Sequence, residues 1–100
     1  MLRIQRDEVG PHEVTLILHG RIAAEWADLL ERECVELTRP GSHIDLDVSG
    51  VVFIGRSGFE VLSRLTQAGV GIIECSPLIA AMLAQEGIAA RAASTDAEYR

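Results

Sequence analysis

The spacing of hydrophobic and polar residues changes several times along the chain, and each change marks a predicted element. Apolar residues at Leu2, Ile4 and Val9 mark a first strand, which is followed by Gly10-Pro11, a turn signal. A β-branched run over 14–18 follows it. Two such strands joined by a Gly-Pro turn predict a β-hairpin.

A helical period follows the hairpin, from Ala24 to a stop at Pro40-Gly41. Apolar residues recur there every three or four positions, with charged residues on the other side. Proline cannot continue a helix, and glycine supplies the turn that leaves it. The predicted inward face consists of Trp26, Leu29, Leu30, Cys34 and Leu37.

The middle of the chain predicts a strand, a loop and a second helix. Residues 44–48 alternate as a strand does, and the apolar run over 51–54 is interpreted as a loop packed under the sheet. Ser57 is a natural N-cap for the next helix, and Glu60 completes a capping box.

The last third predicts another strand and a third helix. The apolar run over 69–75 is typical of a strand buried on both faces. Ser76 and Pro77 fit the cap and the first position of a helix that stops at Gly87. Beyond it, a short edge strand near 88–92 and a helix from Ser94 are both compatible with the sequence. The inward face of the third helix is expected to be Leu78, Ile79, Met82 and Leu83.

These elements give the order β-β-α-β-α-β-α and predict a single α/β domain over residues 1–100. Strands that alternate with helices need crossover connections, so the sheet is partly parallel, and the hairpin makes it mixed. We expect four or five strands with helices packed on them. The secondary structure of the tail from about residue 89 is not specified by these patterns.

Composition excludes some functions. The net charge of −6 repels phosphate backbones and anionic lipids, which argues against nucleic acid as a partner. No apolar stretch reaches the roughly 20 residues of a membrane span, and the first residues show no secretory signal. We therefore expect a cytoplasmic protein without direct membrane insertion. Cys34 and Cys75 are expected to be small buried hydrophobic residues.

No catalytic or metal-binding pattern assembles in the sequence. His12, His19 and His43 lack the i, i+4 spacing of paired helical ligands, and no phosphate-binding glycine loop occurs. Asp45 and Asp47 share a strand face, where solvation of the strand is a simpler role than acid–base chemistry. We expect a protein that is not an enzyme and needs no cofactor or metal.

The segment over 47–59, with the sequence DVSGVVFIGRSGF, resembles the signature of STAS domains (sulfate transporter and anti-sigma factor antagonist). That signature has Asp-Leu-Ser-Gly-Val, a short apolar stretch, and Asp-Ser-Ser-Gly-Leu opening a helix. Residues 18–22 are similar to the Leu-x-Gly-x-Leu that ends the family's hairpin, and 75–77 to its next strand-to-helix step. Together the motifs cover about residues 1–90, in the order derived above.

The resemblance implies a regulatory domain that acts by binding another protein. In many STAS domains the first serine after the loop aspartate is phosphorylated by a partner kinase, often itself an anti-sigma factor. Here Gly55 takes the aspartate position and Arg56 the phosphoacceptor position, while Ala23 replaces the aspartate that usually follows the hairpin. Arginine cannot accept a phosphoryl group, so the usual switch is expected to be absent. Ser57 matches the second serine and is either a helix cap or a displaced phosphosite.

Two functions are compatible with this resemblance. One is an anti-sigma factor antagonist-like regulator, and the other is a STAS subunit of a membrane transporter complex such as a lipid-transport ATPase. A nucleotide-binding module is a weaker third, because the phosphate loop and the acidic positions are missing. A homodimer is compatible with each of them.

A partner-docking surface is expected around the start of the second helix. Arg56 is either a solvated loop charge or a contact for an acidic patch on the partner. Phe59 is either part of the core or a partly exposed anchor. The expected docking residues are Ile54, Gly55, Arg56, Ser57, Gly58 and Phe59.

Overall fold

The structure, a computed structural model, describes residues 1–90. Its first elements are the predicted hairpin, with β1 (Leu2–Gly10) and β2 (Glu13–Ile22) paired antiparallel. The pairing places Leu2 opposite Gly20 and stays regular as far as Glu8. The turn between the strands falls at the predicted Gly-Pro signal.

The remaining elements alternate between helices and strands. They are α1 (Glu25–Leu37), β3 (His43–Ile54), α2 (Arg56–Gln67), β4 (Gly71–Glu74) and α3 (Pro77–Gln85). The sheet has the order β1-β2-β3-β4, with β3 parallel to both β2 and β4. The structure therefore confirms the α/β class, the element order and the mixed sheet.

The core lies between the helices and one face of the sheet. Alternate side chains of the strands point to that face and join buried residues of all three helices in one apolar cluster. Fully buried members include Leu16, Leu18, Leu46, Leu30 and Leu62. The opposite face, called the open face below, is partly or fully exposed and carries Arg3, Gln5, Asp7, Thr15, Ile17 and Asp45.

The prediction of a loop over 51–54 is wrong, because β3 continues through these residues. Val51 and Ile54 are buried, whereas Val52 is 72% exposed and Phe53 39% exposed. The pairing with β2 is irregular here, since Gly20 lies opposite Val51 and the next residue lies opposite Phe53. This bulge turns two of the four apolar side chains outward.

Other differences concern side-chain burial. Leu78 was expected to face inward but is 68% exposed, whereas Ile79 and Leu83 are buried as predicted. In α1, Leu30 and Cys34 are buried, the other three predicted residues are partly buried, and Ala27, which was not predicted, is fully buried.

The last strand and the tail also differ from the prediction. β4 is an edge strand in which only Ile72 is buried, so burial on both faces is wrong. No strand forms over 88–90, although Ile88 is buried. The rest of the predicted edge strand and the helix from Ser94 lie outside the described residues. Within those residues, no helix is long and apolar enough to cross a bilayer.

Candidate functional site: the loop between β3 and α2

The candidate site lies where β2 and β3 leave the sheet. The two strands are parallel, so their carboxyl ends lie at the same edge, and the residues that follow them meet there. The amide of Gly55 donates a hydrogen bond to the carbonyl oxygen of Ile22 at 3.0 Å. The site is therefore built from two connections that are distant in the sequence.

Glycine at position 58 permits close contact between these connections. Gly58 is buried in the first turn of α2, and a Cβ atom there would collide with the carbonyl oxygen of Ile22. The same atom would lie 2.9 Å from Cγ2 of Ile54, which leaves no free space beside the strand. Any side chain would push the helix away from β2, so the glycine sets the position of the helix start.

Ser57 does not cap α2, so the predicted capping box with Glu60 is wrong. The N-cap of α2 is Gly55, and no side chain accepts a hydrogen bond there. Instead the Ser57 hydroxyl accepts a hydrogen bond from the backbone N–H of Ala24 at 2.8 Å. Ala24 has φ 54° and ψ −134°, a conformation that L-residues other than glycine seldom adopt. The hydroxyl thus ties the start of α2 to the β2–α1 connection.

Four exposed residues lie at the ends of β2 and β3 and at the start of α2, and we call them the rim: Arg21, Val52, Phe53 and Arg56. The guanidinium carbon of Arg21 lies 4.4 Å from the centroid of the Phe53 ring, within the range of a cation–π contact. The two residues lie opposite each other on β2 and β3. The rim therefore combines two cations with exposed apolar surface.

Of the rim residues, only Arg56 is predicted from the sequence to be a docking residue. Val52 and Phe53 belong to the uniformly apolar run over 51–54, which is predicted to be a loop packed under the sheet. The length of that run was a signal that some of its side chains are exposed, because a strand with one buried face cannot direct four consecutive side chains inward. The contact of Arg21 with Phe53 depends on strand register, which the sequence does not specify.

The six predicted docking residues occupy different environments. Arg56 is exposed, whereas Gly55, Ser57 and Phe59 are partly buried. Phe59 packs against the core and also lines, with Arg56, a depression of about 310 Å³ between α2 and the segment that follows α3. Ile54 and Gly58 are buried, so they shape the loop and do not present side chains to solvent.

An ion pair links α2 to α1 farther along the helix. Arg64 donates two hydrogen bonds of 2.9 Å to the carboxylate of Glu31 on α1. These bonds lower the pKa of Glu31. Such a paired geometry restricts the orientation of the two helices more than a single contact does.

The carboxylates considered for acid–base chemistry are engaged locally. Asp45 contacts the imidazole of His43 at 2.8 Å, and Asp47 accepts hydrogen bonds from the backbone and the hydroxyl of Ser49. His12 and His19 are exposed, on the hairpin turn and on β2. Among residues 1–90, no group of three or more His, Cys, Asp or Glu side chains is arranged to hold a metal.

A mixed four-stranded sheet with this element order is the STAS fold, as the sequence motifs indicated. The anti-sigma factor antagonist SpoIIAA, solved in its unphosphorylated form, is similar with a TM-score of 0.75 and 15% identity, over 97% of this chain and 93% of its own. An anti-sigma factor antagonist from Mycobacterium paratuberculosis gives 0.72 and 16%, over 97% and 90%. No protein-family model and no curated protein sequence matches significantly. At such identities the similarity establishes the fold.

Proposed function

We propose that this protein regulates another protein by binding it, as an anti-sigma factor antagonist-like module without the usual phosphoacceptor serine. The observation that supports this is the placement of Arg56. It is exposed at the first position of α2, where the STAS pattern has a serine. A guanidinium group has no hydroxyl to modify and keeps its charge at any physiological pH.

The chemistry of the rim indicates the kind of partner. Arginine and aromatic residues are enriched at the centres of protein interfaces, and the rim presents Arg21 against the ring of Phe53, with the exposed Arg56 three residues farther along the chain. A partner with an acidic and partly apolar surface complements it. Phosphorylation at this position would act by repelling such a surface. With arginine there, binding depends on the abundance or the state of the partner.

Ser57 is assigned a structural role in this proposal. Its hydroxyl oxygen already accepts the hydrogen bond from Ala24, and a phosphoryl group would disrupt that contact. Mass spectrometry of the protein from its native cells tests this assignment. We expect Ser57 to be unmodified in every growth state, and phosphoserine there in any state contradicts it.

Affinity capture with a matched pair of variants tests the docking role. The bait is the wild-type protein, Arg56→Glu, or Arg32→Glu, which makes the same charge change on an exposed part of α1. We expect wild type and Arg32→Glu to capture a kinase-type ATPase regulator. Arg56→Glu is expected to capture roughly tenfold less, as loss of a hot-spot contact would cause. Equal capture by both variants contradicts the docking role.

The same experiment separates the two functions that the sequence left open. Soluble and membrane fractions are used as separate sources of partner. If a transport ATPase is enriched from the membrane fraction, and Arg56→Glu captures less of it, the function is that of a transporter subunit. The hypothesis of an anti-sigma factor antagonist-like regulator is then rejected. Turnover of a small molecule by the purified protein contradicts both proposals.

A further inference from the structure

The two edges of the sheet differ in length. β4 forms one edge with four residues, and β1 forms the other with nine. Edge strands leave backbone donors and acceptors unpaired, and many proteins protect them with proline, charged side chains, bulges or short length. β1, with the sequence LRIQRDEVG, is long and has no proline; its charged residues carry both signs, and its bulge lies beyond Glu8, so residues 2–8 keep a regular ladder. It is therefore able to pair with a strand of another chain.

The hydrogen bonding of the hairpin fixes which residues of β1 face the free edge. The amide of Arg21 donates to the carbonyl of Met1 at 2.9 Å, so Met1 directs its backbone groups at β2. In an antiparallel ladder these directions alternate along the strand. The regular register up to Glu8 extends the alternation. Residues 2, 4, 6 and 8 consequently direct their N–H and C=O groups away from the sheet.

The side chains between them lie on the open face. Leu2 is buried under the helices and Arg6 forms an ion pair with Glu33 of α1 at 3.7 Å, so the even positions face the helices. The odd positions therefore carry Arg3, Gln5 and Asp7 on the open face, and all three are exposed. Arg3 and Asp7 have opposite charges, and within residues 1–90 neither forms an ion pair.

We propose that two copies of this protein associate through β1, antiparallel, with Gln5 facing Gln5 of the second copy. With a two-fold axis at this residue, the even-numbered residues of one strand lie opposite the even-numbered residues of the other. Their outward N–H and C=O groups can then form hydrogen bonds between the two copies. The axis also places Arg3 of each copy opposite Asp7 of the other copy, which gives two pairs of opposite charge. The dimer has one continuous sheet, with four strands from each copy.

Charge complementarity selects this register over its neighbours. An axis at Ile4 places Arg3 opposite Gln5, and an axis at Arg6 places two arginines side by side. Of these three axes, only the one at Gln5 gives two pairs of opposite charge. An axis at Asp7 pairs Arg6 with Glu8 twice but places the two Asp7 side chains opposite each other, and like charges directly opposite each other destabilise a ladder. An isologous contact of this kind closes on itself as a dimer.

The contact is small, and we expect a weak and salt-sensitive dimer. One strand on each side buries less surface than a standard interface, so a dissociation constant on the order of 100 μM is expected at low salt. The Arg3–Asp7 pairs are exposed to solvent, and their attraction is screened as the salt concentration rises.

A charge-swap series followed by sedimentation equilibrium tests the register. Arg3→Asp and Asp7→Arg each place two like-charge pairs in the contact, and each should raise the dissociation constant roughly tenfold. The double variant restores both pairs with inverted sign and should recover the wild-type value. Circular dichroism confirms that each variant is folded. A wild-type protein that stays monomeric at ~1 mM, or a double variant no better than the singles, overturns the proposal.

Cysteine cross-linking gives a second, independent test. Facing residues in a position without direct hydrogen bonds bring their Cβ atoms close enough for a disulfide, so Gln5→Cys should be oxidised to a dimer of twice the 10.8 kDa mass. Glu8→Cys and Arg6→Cys are the controls, because neither residue faces itself in this register and neither belongs to the Arg3–Asp7 pairs. The native Cys34 and Cys75 are buried and do not compete. Equal cross-linking of all three variants, or preferential linking through Arg6→Cys, overturns the register.

The dimer is independent of the proposed docking function. The rim lies at the ends of β2 and β3, and none of its residues belongs to β1. Arg56→Glu should leave the dissociation constant of the dimer unchanged. A monomeric wild-type protein that still captures its partner refutes the dimer alone.

Discussion

Two connections from a strand to a helix carry a serine, and the two serines are used differently. Ser76, after β4, accepts a hydrogen bond from the N–H of Ile79 at 3.3 Å and caps its own helix. Ser57, after β3, accepts from Ala24, which lies 33 residues earlier. The start of α3 is fixed by adjacent residues, whereas the start of α2 is fixed by a neighbouring loop.

This difference separates a structural connection from the candidate site. At α3 the Ser76-Pro77 pair is sufficient, because proline presets the first helical φ angle and serine satisfies one free amide. At α2 no side chain caps the helix, and contacts with the end of β2 and with Ala24 hold its start in place. A partner that binds the rim therefore contacts a surface formed jointly by two connections.

The largest effect is expected at Gly58. Alanine is favoured over glycine inside a helix by about 1 kcal/mol, but here the added methyl group collides with a backbone carbonyl that cannot move alone. We expect Gly58→Ala to reduce the free energy of unfolding by about 2–4 kcal/mol. Denaturation in urea measures it. Gly10→Ala is the control, since its Cβ meets nothing closer than 3.7 Å, and equal losses would show that the close contact is unimportant.

Smaller effects are expected at the two serines. Ser76→Ala and Ser57→Ala should each cost about 1 kcal/mol, because each removes one hydrogen-bond acceptor from a backbone amide. The location of the effect should differ. Amide hydrogen exchange is expected to accelerate at Ile79 in the first variant and at Ala24 in the second. Acceleration limited to α2 in Ser57→Ala would contradict the long-range tie.

Ala24 allows a gain of stability at the same place. Its N–H donates to Ser57, and its φ and ψ are near the first central position of a type II′ turn, which favours glycine. Ala24→Gly relieves this strain but adds freedom to the unfolded chain, and we expect a net gain of about 0.5–1 kcal/mol. A higher melting temperature in calorimetry supports it. Ala23→Gly, at a residue for which no positive φ occurs, should instead be destabilising.

Elements with local signals were predictable from the sequence. The Gly10-Pro11 turn and the Ser76-Pro77 helix start rely on the intrinsic geometry of proline and glycine and on a serine next to the amide that it caps. These signals hold without knowledge of the rest of the fold. The element order and the mixed sheet followed from them and from the change in hydrophobic period.

Features that depend on tertiary contacts were not predictable. Ser57 and Glu60 match a capping box, but the hydroxyl binds Ala24 because the packing of Gly58 brings the two connections together. The exposure of Phe53 follows from a bulge, which the uniformly apolar run over 51–54 does not reveal. Arg56 was identified because it interrupts a known motif, and that signal needs no three-dimensional information.

The buried thiol of Cys34 has a practical consequence. It is 1% exposed on α1, and burial raises its pKa to about 12. Alkylating reagents attack the thiolate, so at neutral pH this residue reacts only when the helix moves away from the sheet. The rate of its modification under native conditions therefore reports how often the helical layer opens, without any engineered probe.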